Sequence, residues 1–277
     1  MRQRNLTRLA TTALAAGALL AVGAPANAAH DGATIHPGVQ TYTEGAQCTA
    51  NFVFTDHVDT YIGQSAHCSG TGGSTETDGC LAESLPLGTP VEVDGATRPG
   101  TMVYNSWIAM QQRGETDPNA CAYNDFALIK LDPADAGRVS PAIPVLGGPT
   151  GIDRDGVAAG ESVYSYGNSS LRLGVSQLSP KEGVSLGTNG GGWNHPVYTL
   201  TPGVPGDSGS AFVNSAGQAL GVLSTLAIAP LPASNGVTDL AKALAYANAF
   251  GPQPDVELGS GGGATVGTGT SLRGLLG

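Results

Sequence analysis

The chain has 277 residues, with 42 glycines, only 12% charged side chains, and Asp plus Glu outnumbering Lys plus Arg 22 to 12 for a formal net charge of −10. So acidic and lysine-poor a surface argues against nucleic acid or an anionic membrane as partner. The length suits one large all-β domain or two small ones, with ample room for a core.

The first 28 residues read as a secretory signal. Arg2, Arg4 and Arg8 form a basic region, Leu9 to Val22 is apolar apart from Thr11 and Thr12, and Ala26-Asn27-Ala28 fits a small-x-small cleavage site. The apolar run is short for a membrane span and breaks at Gly23 and Pro25. With no Arg-Arg pair, a Sec-type route fits better than twin-arginine export. The mature chain is expected to start near Ala29, to carry a net charge of about −13, and to be extracellular with no membrane association after cleavage. Cys48, Cys68, Cys80 and Cys121 all lie beyond the signal. An even count in an exported chain predicts two disulfides with three possible pairings. No Cys-x-x-Cys occurs, and no metal or other cofactor is expected.

Taken in order, residues 29–47 are turn-rich with one short strand at Val39 to Tyr42. Asn51 to Thr55 is β-rich, Asp56 to Asp59 reads as a hairpin turn, and Thr60 to Ala66 is a strand running into His67-Cys68. Gly, Thr, Ser and Pro dominate 69–100, apart from a strand at Pro90 to Val93. Thr101 to Met110 alternates, Asp125 to Leu131 is a buried strand, and Pro133 to Pro144 is loop. Further short strands are expected at Ser162 to Tyr166, Gly174 to Leu178, Val197 to Thr201, Ala211 to Asn214 and Ala219 to Thr225. The clear helix is Thr238 to Phe250. It is capped by Thr238 or Asp239, turns Leu240, Ala243, Leu244, Ala247 and Phe250 to one face, and is stopped by Gly251-Pro252. Residues from 252 onward are Gly-rich and read as a flexible tail. Many short strands with Gly/Pro turns and little helical period indicate an all-β sandwich or barrel.

Three stretches carry chemistry. Gly206-Asp207-Ser208-Gly209-Ser210 is a tight turn that can project a serine hydroxyl while nearby backbone N–H groups point at an incoming carbonyl. His67 follows a strand in Gln64-Ser65-Ala66-His67-Cys68, and Asp125 opens an apolar strand in Asn124-Asp125-Phe126-Ala127-Leu128-Ile129-Lys130-Leu131. Acyl transfer needs a hydroxyl nucleophile, an imidazole to take and return its proton, and a carboxylate to hold the imidazole's tautomer. His30, His36, His57 and His195 lack such contexts, and none has metal-ligand spacing.

In these three contexts and in their order, the chain resembles the chymotrypsin/trypsin family of serine proteases, in a short secreted actinobacterial form. The resemblance covers about Gln40 to Phe250 and includes the terminal helix. It implies two antiparallel six-stranded β-barrels within residues 29–251, meeting near 133–150, with the site in the cleft between them. Ser208 would be nucleophile, His67 general base and acid, and Asp125 its orienter. The N–H groups of Gly206 and Ser208 would form the oxyanion hole, with Asp207 supporting the loop. The implied disulfides are Cys48–Cys68 beside the histidine and Cys80–Cys121. The partner is a protein or peptide substrate, and the chain is expected to act as a monomer.

The pattern departs from the family at three points. No Ile-Val-Gly-Gly sequence occurs to supply an ammonium to Asp207, so that carboxylate needs another partner, an arginine such as Arg172 or a hydrogen-bond network. The expected floor of the substrate pocket, six positions before Ser208, is Pro202 and not an acid. The pocket wall is Ser224-Thr225-Leu226, where a leucine replaces a glycine. These imply a non-basic, small or apolar residue before the scissile bond. The competing readings are a catalytically silent relative that binds a protein or glycan, and an esterase on another fold. Against the esterase, the Gly-x-Ser-x-Gly motif is incomplete and the order of residues differs.

Overall fold

The computed structural model describes residues 33–73, 77–227 and 234–260. The expected signal segment and residues 261–277 of the expected tail lie outside them. The first half of the chain supplies β1 (Gln40–Thr43), β2 (Ala46–Thr49), β3 (Val53–Thr55), β4 (Thr60–Gln64), β5 (Pro90–Val93), β6 (Gly100–Asn105) and β7 (Ala127–Lys130). The second supplies β8 (Ser162–Tyr166), β9 (Pro180–Ser185), β10 (Asn194–Thr199), β11 (Ala211–Asn214), β12 (Ala219–Ala227) and β13 (Ser234–Asp239), followed by β14 (Glu257–Leu258).

Strands β8 to β13 close into a six-stranded barrel, in the order β10-β13-β12-β11-β8-β9. The other half is an eight-stranded sheet, β14-β3-β4-β7-β6-β5-β1-β2, which curls into a half-barrel as the second barrel of the expected pair. Only residues 50–52 separate β2 from β3, so the sheet curls until one stretch of chain serves both of its ends, and β14 adds outside β3. The continuous apolar run of β7 follows from its place between β4 and β6, where Ala127, Leu128 and Ile129 are all buried.

Each half has its own core, Ile35, Ile62, Met102 and Ile129 in the first and Val163, Val197, Phe212 and Val237 in the second. A third and larger cluster, including Phe52, Tyr104, Phe126, Val222, Leu240 and Leu244, joins the two halves and the terminal helix. That helix, α3 (Leu240–Phe250), is capped by Asp239, whose side chain accepts from Lys242 N. Phe250, expected on its buried face, is 48% exposed and lies under the Arg113 guanidinium at 3.6 Å, while Tyr246 takes the buried place.

Several elements differ from the sequence reading. The alternating run 101–110 is β6 followed by α1 (Ser106–Arg113), because the Asn105 side chain at the strand's end accepts from Trp107 N and Ile108 N and starts a helix. A second short helix, α2 (Pro118–Tyr123), is capped by Asp117. Gly174 to Leu178 is not a strand but a 3-10 turn over Ser176–Leu178 within a loop. The Gly-rich tail does not begin at 252: Glu257 and Leu258 pair with Thr55 and Phe54, and Val256 is buried. An edge strand left open by β3 gains its missing hydrogen bonds this way.

Candidate active site

The edge of the first sheet and the bulged wall of the barrel enclose a cleft of about 640 Å³, lined among others by His67, Asp125, Gly206, Ser208, Ser224 and Trp107. Each expected chemical group arrives from a different element. His67 sits in a 3-10 turn, Ala66–Ser69, directly after β4. Asp125 lies between α2 and β7. Ser208 lies in the turn that enters β11.

Asp125 is buried, and its two oxygens accept three hydrogen bonds. His67 N donates to Oδ1 at 2.9 Å, His67 Nδ1 donates to Oδ2 at 2.6 Å, and Ser224 Oγ donates to Oδ2 at 2.6 Å. Backbone and ring of His67 are thus both fixed by one carboxylate, and Nε2 is left for the cleft. Desolvation disfavours the imidazolium, but the charge of Asp125 and its hydrogen bond outweigh it and raise the His67 pKa above 6.5. Burial likewise works against the Asp125 carboxylate, and the charge and hydrogen bonds of His67 with that of Ser224 hold its pKa below the ordinary aspartate value. Ser224 was expected only in the pocket wall. It sits where β12 changes register between Leu223 and Thr225, a bulge that turns its hydroxyl to Asp125.

The serine turn is held from both halves. Gly206 O accepts from Gln47 Nε2 at 2.9 Å and from Thr49 Oγ1 at 2.7 Å, and Ser208 O accepts from Thr49 N at 2.8 Å. Gly209 N donates to Leu223 O at 2.7 Å, and Asp207 N to Val204 O at 2.9 Å. Gly206 has φ +95°, a backbone conformation that residues with a side chain rarely adopt, so the turn favours glycine there. Among the described residues, the amides of Gly206 and Ser208 are donors in none of the turn's hydrogen bonds.

Asp207 has the partner the sequence left open. Arg172 reaches both of its oxygens, through Nη2 to Oδ2 and through Nε to Oδ1 at 3.4 Å. Lys181 adds a second cation, with Nζ 2.9 Å from Oδ2. The amides of Ser169 and Val204 donate at 3.1 Å each. Burial opposes the carboxylate, and these partners keep its pKa low. Nothing in the residue pattern marked Lys181, which sits buried on β9 between Pro180 and Glu182.

Pro202 is corrected as a pocket residue. It is exposed and does not line the cleft, and its carbonyl accepts from Arg172 Nη2 at 3.2 Å and Lys181 Nζ at 3.3 Å. The lining near Ser208 is instead Gly203, Val204, Thr225, Leu226 and the buried Asn235, which accepts from Gly203 N at 3.1 Å. Leu226 is 57% exposed, so it edges the opening rather than filling it.

Both disulfides pair as the resemblance implied, Cys48–Cys68 with Cα atoms 6.1 Å apart and Cys80–Cys121 at 5.1 Å. Among the described residues, the His/Cys/Asp groupings compact enough to hold a metal ion all include these bonded cysteines, so they offer no thiolate. His57 is exposed, and its Nε2 lies 3.7 Å from Glu257. His195 forms a second, buried pair with Asp239, Nε2 to Oδ2 at 2.8 Å, which steadies the cap of α3. No helix among the described residues is long and apolar enough to cross a membrane.

No protein-family model and no curated protein matches the sequence. Among solved structures, the chain is similar to Thermobifida fusca protease A, with 18% identity, a TM-score of 0.54, and coverage of 83% of this chain and all of that one. It is also similar to a Glu endopeptidase, with 16% identity, a TM-score of 0.50, and coverage of 80% and 95% of the two chains. At this identity the likeness shows the fold, and the fold of this chain is the chymotrypsin-like double barrel.

Proposed function

We propose that the protein is a secreted serine endopeptidase that hydrolyses peptide bonds through Ser208, His67 and Asp125. The observation that carries this reading is the double hold of Asp125 on His67, through ring and backbone, in the cleft that Ser208 also lines. Ser208 Oγ attacks the scissile carbonyl, and His67 Nε2 takes its proton. Asp125 stabilises the imidazolium that results, with Ser224 as an added donor to the carboxylate. The amides of Gly206 and Ser208 receive the developing oxyanion, where one such donor contributes about 3 kcal/mol of barrier lowering. Collapse expels the amine, protonated by His67, and water then hydrolyses the acyl-enzyme by the same route.

The cleft contains no lysine or arginine among its described lining residues, and its carboxylates are Glu83 and the engaged Asp125. Beside Ser208, the Gly203, Val204, Thr225 and Leu226 surfaces suit a small or medium apolar residue before the scissile bond. Two disulfides accord with an extracellular protein.

Ser208→Ala tests the assignment. It should abolish both hydrolysis of an unfolded protein and covalent labelling by a phosphonate at residue 208. A folded Ser208→Ala protein with undiminished hydrolysis would sink the reading.

A further inference from the structure

Asp207 carries one negative charge, yet two cations are buried against it. Lys181 and Asp207 have fully buried side chains, and that of Arg172 is 10% exposed. Lys181 Nζ donates to Asp207 Oδ2 and, at 3.3 Å each, to the carbonyls of Thr201 and Pro202. The site is built to size, for a Cβ on Gly167 would stand 2.4 Å from Asp207 Oδ1 and 2.9 Å from Lys181 Cε. Arg172 alone already engages both carboxylate oxygens and would satisfy the pair. Burying a further ammonium is costly unless it is paired and hydrogen-bonded, and Lys181 has all three of its donors engaged, by Asp207 and two carbonyls.

We infer that Lys181 is a positioning residue of the serine turn: it holds Asp207 Oδ2 beside Arg172 and leaves a net positive charge behind the Gly206 and Ser208 amides. The inference rests on the reading of those amides as the oxyanion hole. Negative charge develops there only in the transition state, so a fixed positive charge in a low-dielectric setting lowers the barrier while leaving substrate binding nearly unchanged. The groups facing Lys181 are Asp207 and Arg172. Glu182, next along β9, points to the opposite face. Desolvation together with the Arg172 charge outweighs the attraction of Asp207 and lowers the Lys181 pKa from its ordinary 10.5. Activity should accordingly fall with rising pH as Lys181 loses its proton, below the ordinary lysine range.

The test compares wild type, Lys181→Met and Lys181→Arg in steady-state hydrolysis of a small ester across pH. Alongside, hydrogen exchange of the Ser210 amide, which donates to Asp207 O at 3.0 Å, is followed in the inert Ser208→Ala background. Lys181→Met should lower kcat about 10- to 100-fold with KM within about threefold, and its Ser210 amide should exchange faster. Lys181→Arg should restore kcat to within about threefold and remove the alkaline loss that wild type shows. A folded Lys181→Met protein with wild-type kcat and exchange overturns the inference. Should Lys181→Met not fold, an alkaline loss unchanged in Lys181→Arg overturns it equally. If wild type itself neither hydrolyses the ester nor takes the label, the protease reading fails, and faster exchange in Lys181→Met still supports the positioning role.

Discussion

Replacing Asp125 by Asn is the most discriminating perturbation of the proposed triad, because the hydrogen bonds predict which tautomer results. The carboxylate accepts from three donors, and only one of them is immovable: the backbone N–H of His67, 2.9 Å from Oδ1. An asparagine must keep its single oxygen there, which places its NH₂ where Oδ2 met His67 Nδ1 at 2.6 Å. Nδ1 then accepts, the ring proton moves to Nε2, and the imidazole can no longer take the Ser208 proton. The Ser224 hydroxyl rotates to accept from the same NH₂, so no buried group is orphaned and the fold should survive. The expected cost is about 10⁴-fold in kcat, or about 5 kcal/mol of barrier. Ester hydrolysis at mildly alkaline pH measures the loss, and nitrogen-15 NMR of His67 reports the tautomer. A folded Asp125→Asn protein with kcat within about tenfold of wild type, or with its proton still on Nδ1, would refute the reasoning.

Three further outcomes are expected. Because Asp125 raises the His67 pKa above 6.5 and the base must be neutral, kcat/KM should rise with pH through a midpoint above that value. By linkage, the His67 contribution to stability is fully present below its unfolded pKa and is lost as pH rises through the folded one, so the two profiles should run in opposite directions in activity assays and thermal melts. Removing Cys48–Cys68, which closes a separation of 20 residues, should cost about 3 kcal/mol in urea unfolding, and removing Cys80–Cys121, with 41, about 4 kcal/mol. The first should also lower kcat, since Cys68 adjoins His67. Val256→Ala should destabilise by about 2 kcal/mol because the side chain is buried behind β14, whereas a residue of a loose tail would tolerate the change silently.

His67, Asp125 and Ser208 stood out in the sequence as candidates because their three contexts, a strand end, the mouth of a buried strand and a Gly-flanked turn, occur together in the order of the family the chain resembles. The strands β4, β7, β8, β11 and β12 were legible for a related reason, since alternation and burial leave their period in neighbouring residues. Helix α1 was hidden because its start depends on the Asn105 side chain turning back on the next two amides, which alternation along 101–110 masks. β14 was hidden because a two-residue strand in a Gly-rich stretch has no period, and only the open edge of β3 gives it a partner.

The sequence by itself thus determined which residues could act as nucleophile, base and orienter, and that an all-β frame would carry them. Only the tertiary structure decided what holds them. Ser224 meets Asp125 across 99 positions and Lys181 meets Asp207 across the barrel, contacts that leave no trace in local spacing. Pro202 moved the other way, from expected pocket floor to a carbonyl that faces the two cations. A carboxylate's need for a partner can be read from its burial in a motif. Which cation answers is settled by strands that come together only when the barrel closes.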